Sequence, residues 1–158
     1  MEKKLGLYLD WMATPVENYE INWITLRSYA DFKNWITIHK KIPQVISLGY
    51  ELCEEAWKYT FRGEQIPVVE VETTLMPLAF LRATIDKNGL EYPEFYIHTP
   101  NEAGIVELRA YIEGTCKQMG LTPKYKVFQV EISEYYEKEE NYQKFLKIKQ
   151  EYDNRNTI

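Results

Sequence analysis

Cysteine and histidine are scarce in this sequence, which limits the metal and redox chemistry that it can support. The 158 residues include two cysteines and two histidines. Cys53 and Cys116 form no CxxC pair and have no histidine cluster beside them, so a disulfide framework and a zinc site are both disfavoured. We therefore expect no metal site and no cofactor, and a reducing compartment such as the cytoplasm.

The sequence also lacks a basic stripe, a long apolar run and the common nucleotide-binding motifs. Its 24 acidic and 19 basic residues give a net charge of -5 and are spread along the chain, which disfavours general nucleic-acid binding. No window approaches the ~20 apolar residues that cross a bilayer, and the first residues contain no apolar stretch typical of a signal peptide. We expect a soluble protein without a membrane partner. P-loop, Rossmann-type and HExxH motifs are missing too.

Aromatic residues, in contrast, are abundant. The chain has 13 Tyr, 6 Phe and 4 Trp, which together make 15% of its residues. Such a bias has two interpretations: a core and surface rich in amphipathic rings, or a face that binds another protein or a second copy of the chain. The length fits a single domain over residues 1–152, and we expect a loose tail over 153–158.

Strand-like and helix-like segments alternate through most of the chain. The predicted strands are residues 4–9, 22–26, 45–48, 94–99 and 124–132. Helices are expected to begin at Ser28, at Thr73 or Thr74, at Asn101 and, as a long final helix, at Ser133. This alternation predicts an open, mainly parallel five-stranded sheet with helices on both faces. In such sheets the functional crevice lies beyond the carboxyl ends of the strands.

Residues 55–72 interrupt the alternation. Trp57, Tyr59 and Phe61 alternate with polar neighbours, residues 62–64 resemble a turn, and residues 66–71 are strand-like. Period-two alternation on both sides of a turn predicts a β-hairpin insertion. We expect its three aromatic side chains to form an interface with a partner protein.

Three segments at the predicted strand ends carry a resemblance to a known family. They read LYLDWMATP (residues 7–15), VISLGYEL (45–52) and FYIHTPN (95–101). In order and spacing they are similar to the motifs LFLDDxRxP, FISFDHDL and FYVHSAN of the cyclic-phosphate processing receiver domain, a phage-associated branch of the receiver superfamily. The resemblance covers about residues 4–119 and implies a receiver-like, flavodoxin-like fold.

The sequence departs from this family at the residues that would carry out its chemistry. Receivers hold Mg²⁺ with acidic side chains and accept a phosphoryl group on an aspartate. Asp10 matches the first acid, but Trp11 replaces the second and Ala13 replaces an arginine. Gly49 stands at the acceptor position and has no carboxylate to phosphorylate, and Tyr50 replaces a histidine. Glu51 keeps a carboxylate, yet two acids without a third ligand hold Mg²⁺ poorly.

Three functions remain open on these residues. The first is a receiver-like protein that cannot be phosphorylated and acts through protein contacts, in the host cytoplasm if it is phage-encoded. The second is binding or processing of a cyclic nucleotide or a cyclic-phosphate end by residues of the crevice. Its candidate ligand-binding residues are Asp10, Trp11, Tyr50, Glu51, His98 and Thr99. A structural or accessory virion protein is the third. His98 and Thr99 also have a purely structural interpretation, as a strand-end histidine and a turn-stabilising hydroxyl.

Overall fold

A computed structural model describes residues 2–15, 20–65, 71–128 and 138–156. The described residues form five strands and five helices. The strands are β1 (Lys4–Leu9), β2 (Ile21–Leu26), β3 (Val45–Leu48), β4 (Glu94–Ile97) and β5 (Tyr125–Val127). The helices are α1 (Tyr29–His39), α2 (Glu54–Arg62), α3 (Leu75–Asn88), α4 (Glu102–Met119) and α5 (Glu139–Arg155). None of these helices is long and apolar enough to cross a membrane.

The five strands form one parallel sheet in the order β2-β1-β3-β4-β5. The predicted open, flavodoxin-like sheet with a long C-terminal helix is therefore confirmed. The strand order reverses between β1 and β3, which is where ligands bind in folds of this kind. Asp10 follows β1 and Gly49 follows β3, so both residues lie at the switch point.

One face of the sheet carries the main core. Alternate residues of β1, β3 and β4 point to this face, because side chains along a strand alternate in direction. They meet apolar stripes of α1, α3 and α4, which consist of residues spaced three or four apart. The fully buried sheet residues of this core are Leu7, Leu9, Ile46, Leu48, Phe95 and Ile97.

The opposite face carries aromatic side chains and receives part of α5. Trp23 lies across β1, where a Cβ at Gly6 would come within 2.6 Å of the indole ring, so only glycine fits there. Trp23 makes edge contacts with Tyr8 and Tyr96. On β2, the Thr25 hydroxyl is hydrogen-bonded to the Tyr152 hydroxyl of α5 at 2.9 Å. Helices thus contact both faces of the sheet, as predicted.

Helix caps were predictable from the sequence because each has a local chemical cause. The Ser28 hydroxyl accepts the Asp31 N–H at 3.1 Å, and the Asn101 side chain accepts the Gly104 N–H at 3.1 Å. Thr74 is the N-cap residue of α3, although its hydroxyl makes no capping hydrogen bond. Gly89 and Gly120 end α3 and α4 in the left-handed conformation.

The predicted β-hairpin is wrong, because its first arm is the helix α2. Trp57 and Phe61 are four residues apart and share a helix face, whereas Tyr59 lies on the other side. The alternation of aromatic and polar residues therefore had a helical cause. The predicted second arm lies largely at 66–70, outside the described residues.

The C-terminal region differs from its prediction at both ends. Strand β5 ends at Val127, and residues 129–137, where the strand was expected to continue and the helix to begin, lie outside the described part of the chain. The tail predicted to be loose from residue 153 is helical to Arg155. Asp153 forms an ion pair with Arg27 at 2.9 Å, which holds this end of α5 against the sheet.

Candidate functional site

The carboxyl ends of β1, β3 and β4 bring most of the predicted site residues to one edge of the sheet. Asp10 follows β1, Gly49 to Glu51 follow β3, and His98 and Thr99 follow β4. Asp10, Glu51, His98 and Thr99 are all buried. Parallel pairing in register places these positions side by side, as the sequence predicted.

Asp10, His98 and Ser47 form a buried chain of hydrogen bonds. The Asp10 carboxylate lies 2.8 Å from His98 Nε2, and His98 Nδ1 lies 2.7 Å from the Ser47 hydroxyl. Because an ionised carboxylate only accepts, Nε2 donates to Asp10, and Nδ1 is left to pair with the Ser47 hydroxyl. The Tyr8 ring stacks on the imidazole with ring centres 4.2 Å apart. His98 therefore has both nitrogens and one ring face in contact with the protein.

The second oxygen of Asp10 is also occupied. It accepts the backbone N–H groups of Met12 and Ala13, each at 2.8 Å. Burial by itself raises the pKa of Asp10, but the hydrogen bond and charge of His98, with these two N–H groups, lower it further than burial raises it. Asp10 is therefore an ionised carboxylate that accepts three hydrogen bonds and fixes the turn after β1.

Gly49 lies directly against Asp10. Its N–H donates to the Leu9 carbonyl at 2.7 Å, and a Cβ built on it would stand 2.5 Å from an Asp10 carboxylate oxygen. Any larger side chain would have to displace that carboxylate. The space that a larger side chain at position 49 would need is therefore occupied by the Asp10 carboxylate.

Glu51 is the second buried carboxyl group of the site. Only 4% of its surface is exposed, and the Asn101 side-chain amide donates to its carboxylate at 2.8 Å. Burial, helped by the nearby charge of Asp10, raises the pKa of Glu51 to about 7 against the opposing effect of hydrogen bonds from Asn101 and Thr60. Glu51 therefore exchanges a proton near neutral pH while it links β3 to the start of α4.

The carboxyl groups at this edge do not fit a magnesium site. Mg²⁺ requires oxygen ligands in near-octahedral geometry, and both oxygens of Asp10 are already engaged by donors. Across the described residues, no group of three metal-ligating side chains lies together. A Mg²⁺ ion bound at Asp10 would face the positive ends of the N–H groups of His98, Met12 and Ala13.

Tyr50 and Trp11, two of the candidate ligand-binding residues, contact other parts of the protein. The Tyr50 ring packs on α4, where a Cβ at Gly104 would come within 2.7 Å of it, and its hydroxyl donates to the Glu107 carboxylate. Burial, followed by the bond to Glu107, raises the pKa of Tyr50 to about 12. Trp11 lies 5.8 Å from the Trp57 ring and faces the Lys149 ammonium group at 5.0 Å. The two rings are therefore packed against α4 and against the α2 and α5 helices, respectively.

The expected aromatic interface is mostly internal. Trp57 and Phe61 are buried together with Met12 and Tyr142 in a second apolar cluster, where α2 and α5 meet the turn after β1. Tyr59 alone of the three predicted residues is exposed, at 54%. The prediction that Trp57 and Phe61 bind a partner is therefore wrong. They are core residues, because one face of α2 points into the protein.

Thr99 occupies a structural position. Two residues that support the site, Ser47 and Arg27, were not predicted from the sequence. The Thr99 hydroxyl is buried and accepts the Asn101 N–H at 3.2 Å, as in a turn. Ser47, the single polar residue of β3, had no predicted role. Arg27, which donates to the carbonyls of Asp10 and Ala13, carried no recognisable signal.

Taken together, these contacts form a closed polar network. Its members satisfy one another, and they join β1, β3, β4 and the first turn of α4. Such an arrangement stabilises strand ends and leaves few polar atoms free to bind a ligand. Comparison of the chain with protein-family models, with curated proteins and with solved structures finds no match, so the similarity to receivers rests on the three strand-end segments alone.

Proposed function

We propose that this chain is a receiver-like protein that accepts no phosphoryl group and acts by contacting another protein. The observation that carries the proposal is the contact between Gly49 and Asp10. Where a phosphoacceptor side chain would project, an Asp10 oxygen stands 2.5 Å from the site of the missing Cβ. Metal binding and phosphoryl transfer both need that space.

The occupied donors and acceptors of the network support the same proposal. An active receiver needs a carboxylate free to hold Mg²⁺, whereas Asp10 accepts bonds from His98, Met12 and Ala13. What remains for function is the surface, which includes large exposed apolar side chains such as Ile38 at 73% and Val106 at 67%. The family resemblance adds a host or phage assembly as the setting for a partner.

Phosphoryl transfer and partner capture together test this proposal. After incubation with Mg²⁺ and acetyl phosphate, the intact mass of the protein should be unchanged, while a functional receiver run in parallel gains one phosphoryl group. Chemical cross-linking in the native source should then retain a specific protein on the tagged chain. A phosphorylated product, or a chain that captures nothing above a tag-only control, would contradict the proposal.

Binding of a phosphate ester at the strand ends is the second candidate. It is favoured by the position of His98 and Asn101 beside the amino terminus of the 18-residue α4, where helix N–H groups attract anions. It is opposed by the ionised, buried Asp10 in the same place. Thermal-shift measurements with cyclic nucleotides and 2′,3′-cyclic phosphates, with and without Mg²⁺, distinguish the two: a saturable rise in Tm supports ligand binding.

A further inference from the structure

A groove between α1 and α3 lies at the opposite end of the fold from the strand-end network. We call it the α1–α3 groove; its volume is about 840 Å³. It is lined by Ile36, Thr37, Lys40, Phe80, Ala83, Thr84, Lys87, Asn88 and Leu90. These residues belong to the last turn of α1, to α3 from Phe80 onwards and to the start of the chain leading into β4. The polar network and the groove therefore use separate residues.

Small side chains create the groove. On α3, Phe80, Ala83, Thr84 and Lys87 have the spacing of one helix face, and Ala83 is exposed in the middle of it. The Thr84 hydroxyl already donates to the Phe80 carbonyl at 2.9 Å, so this residue can present its methyl group to the groove. The floor is consequently apolar between the half-buried rings and chains of Phe80 and Leu90.

The rim of the groove is basic. Lys40 ends α1 and Lys87 lies in the last turn of α3, and neither forms an ion pair with a carboxylate among the described residues. Lys33 lies with its ammonium group 5.8 Å from the centre of the Phe80 ring. Asp86, which precedes Lys87 in the sequence, pairs with Arg82 at 3.7 Å. A positive rim on a chain of net charge -5 favours an acidic ligand.

We propose that the α1–α3 groove binds an acidic amphipathic helix of a partner protein. Apolar side chains at positions i, i+3 or i+4, and i+7 of that helix would contact Phe80, Ala83 and Leu90, and its carboxylates would pair with the rim lysines. The proposal rests on the proposed function and specifies the partner's chemistry. A two-fold dimer through the same groove would bring the lysines of the two copies together, so like charges oppose self-association there.

Ala83 offers a sharp test because the same helix contains a matched control. Ala83→Glu fills the floor of the groove and reverses its charge preference, whereas Ala79→Glu places the same side chain at an exposed position that does not line the groove. Both variants keep helix-favouring residues on α3, and circular dichroism checks that each is folded. Only Ala83→Glu should affect binding.

The probe is a displayed library of random 16-residue peptides, from which binders are selected on the immobilised protein. We expect enrichment of peptides with apolar residues at helical spacing and an excess of Asp and Glu. Their affinity, measured by fluorescence anisotropy, should fall at least tenfold for Ala83→Glu, stay unchanged for Ala79→Glu and weaken as salt rises. The double variant Lys40→Glu/Lys87→Glu should lose the preference for acidic peptides.

Two results would overturn the groove proposal. One is that the selected peptides are neutral or basic, or that no peptide is enriched above the background measured on Ala83→Glu. The other is equal binding of the selected peptides to Ala83→Glu and to the unaltered protein. If the partner captured by cross-linking binds Ala83→Glu normally, another surface is responsible, and the proposed function stands without the groove.

Discussion

Asp10 accepts three hydrogen bonds at the strand ends, and Gly49 leaves the space in which it does so. One carboxylate oxygen of Asp10 holds His98, and the other holds the turn through Met12 and Ala13. Because Gly49 has no side chain, the carboxylate can lie over its Cα. At the scale of single residues, the missing side chain at Gly49 is what allows the Asp10 carboxylate to take its place in the network.

A methyl group at Gly49 should therefore destabilise the protein. Gly49→Ala forces Asp10 or the β3 end to move, which typically costs about 1–3 kcal/mol. Gly114→Ala is the control, since its Cβ meets nothing within 4 Å in the middle of α4, and it should stabilise the protein by about 0.5–1 kcal/mol. Urea unfolding measures both. Equal effects of the two substitutions would show that Gly49 is not confined by Asp10.

Glu51 should make stability depend on pH in an unusual direction. Its pKa rises from an ordinary value of 4.5 to about 7 in the folded protein, so the folded state holds the proton more tightly. Stability is then highest below pH 4.5 as far as this group is concerned, and it falls as pH rises through 7. The full effect is about 3 kcal/mol by linkage.

Glu51→Gln removes this dependence, because glutamine keeps the shape and the acceptor for Asn101 but carries no charge. We expect the variant to have a higher Tm than the unaltered protein at pH 8 and a similar Tm at pH 5. Glu55→Gln, at an exposed position on α2, controls for a general loss of acidic charge. A Glu51→Gln effect that is the same at both pH values would contradict the buried, proton-exchanging carboxyl.

Among the elements, α2 and α5 stabilise each other through a cluster remote from the main core. Trp57 and Phe61 of α2 meet Tyr142 of α5, and the Arg62 guanidinium lies 4.2 Å from the centre of the Tyr142 ring. At the far end, Asp153 of α5 pairs with Arg27. Because Arg27 also bonds to the Asp10 carbonyl, α5 is connected to the strand-end turn.

Alanine substitutions on the two faces of α2 should have very different effects. Trp57→Ala removes a side chain that is 4% exposed and should cost about 3–5 kcal/mol of unfolding free energy. Tyr59→Ala, two residues away and 54% exposed, should change it by less than about 0.5 kcal/mol. Chemical denaturation measures both. Similar costs at the two positions would favour a strand, in which residues 57 and 59 share a face, rather than the helix α2.

At the scale of the whole molecule, the sheet and most helices could be predicted, and the reason is local chemistry. The apolar run of β3 and the caps at Ser28 and Asn101 determine their own structure within a few residues. The α2 helix could not be predicted in this way, because aromatic residues at 57, 59 and 61 fit a period of two. Its packing partners Met12 and Tyr142 lie far away in the sequence.

The position of the candidate site could be predicted from the sequence, but the hydrogen bonds between its residues could not. Parallel strands put Asp10, Glu51 and His98 at one edge, and the motif spacing located all three. The direction of each side chain depends on groups that carry no motif, such as Ser47 beside His98 and the backbone of the turn beside Asp10. Sequence patterns could therefore suggest a ligand site, whereas the hydrogen bonds form an internal network.

The closed network is tested most directly by a nuclear magnetic resonance titration of ¹⁵N-labelled protein with Mg²⁺ and then with beryllofluoride, which mimics a phosphoryl group. We predict no saturable shift in the amide signals of Asp10, Gly49 and Glu51, because the Asp10 oxygens are occupied and Gly49 offers no acceptor. Saturable shifts at these three residues, with Mg²⁺ alone or with both reagents, would contradict it.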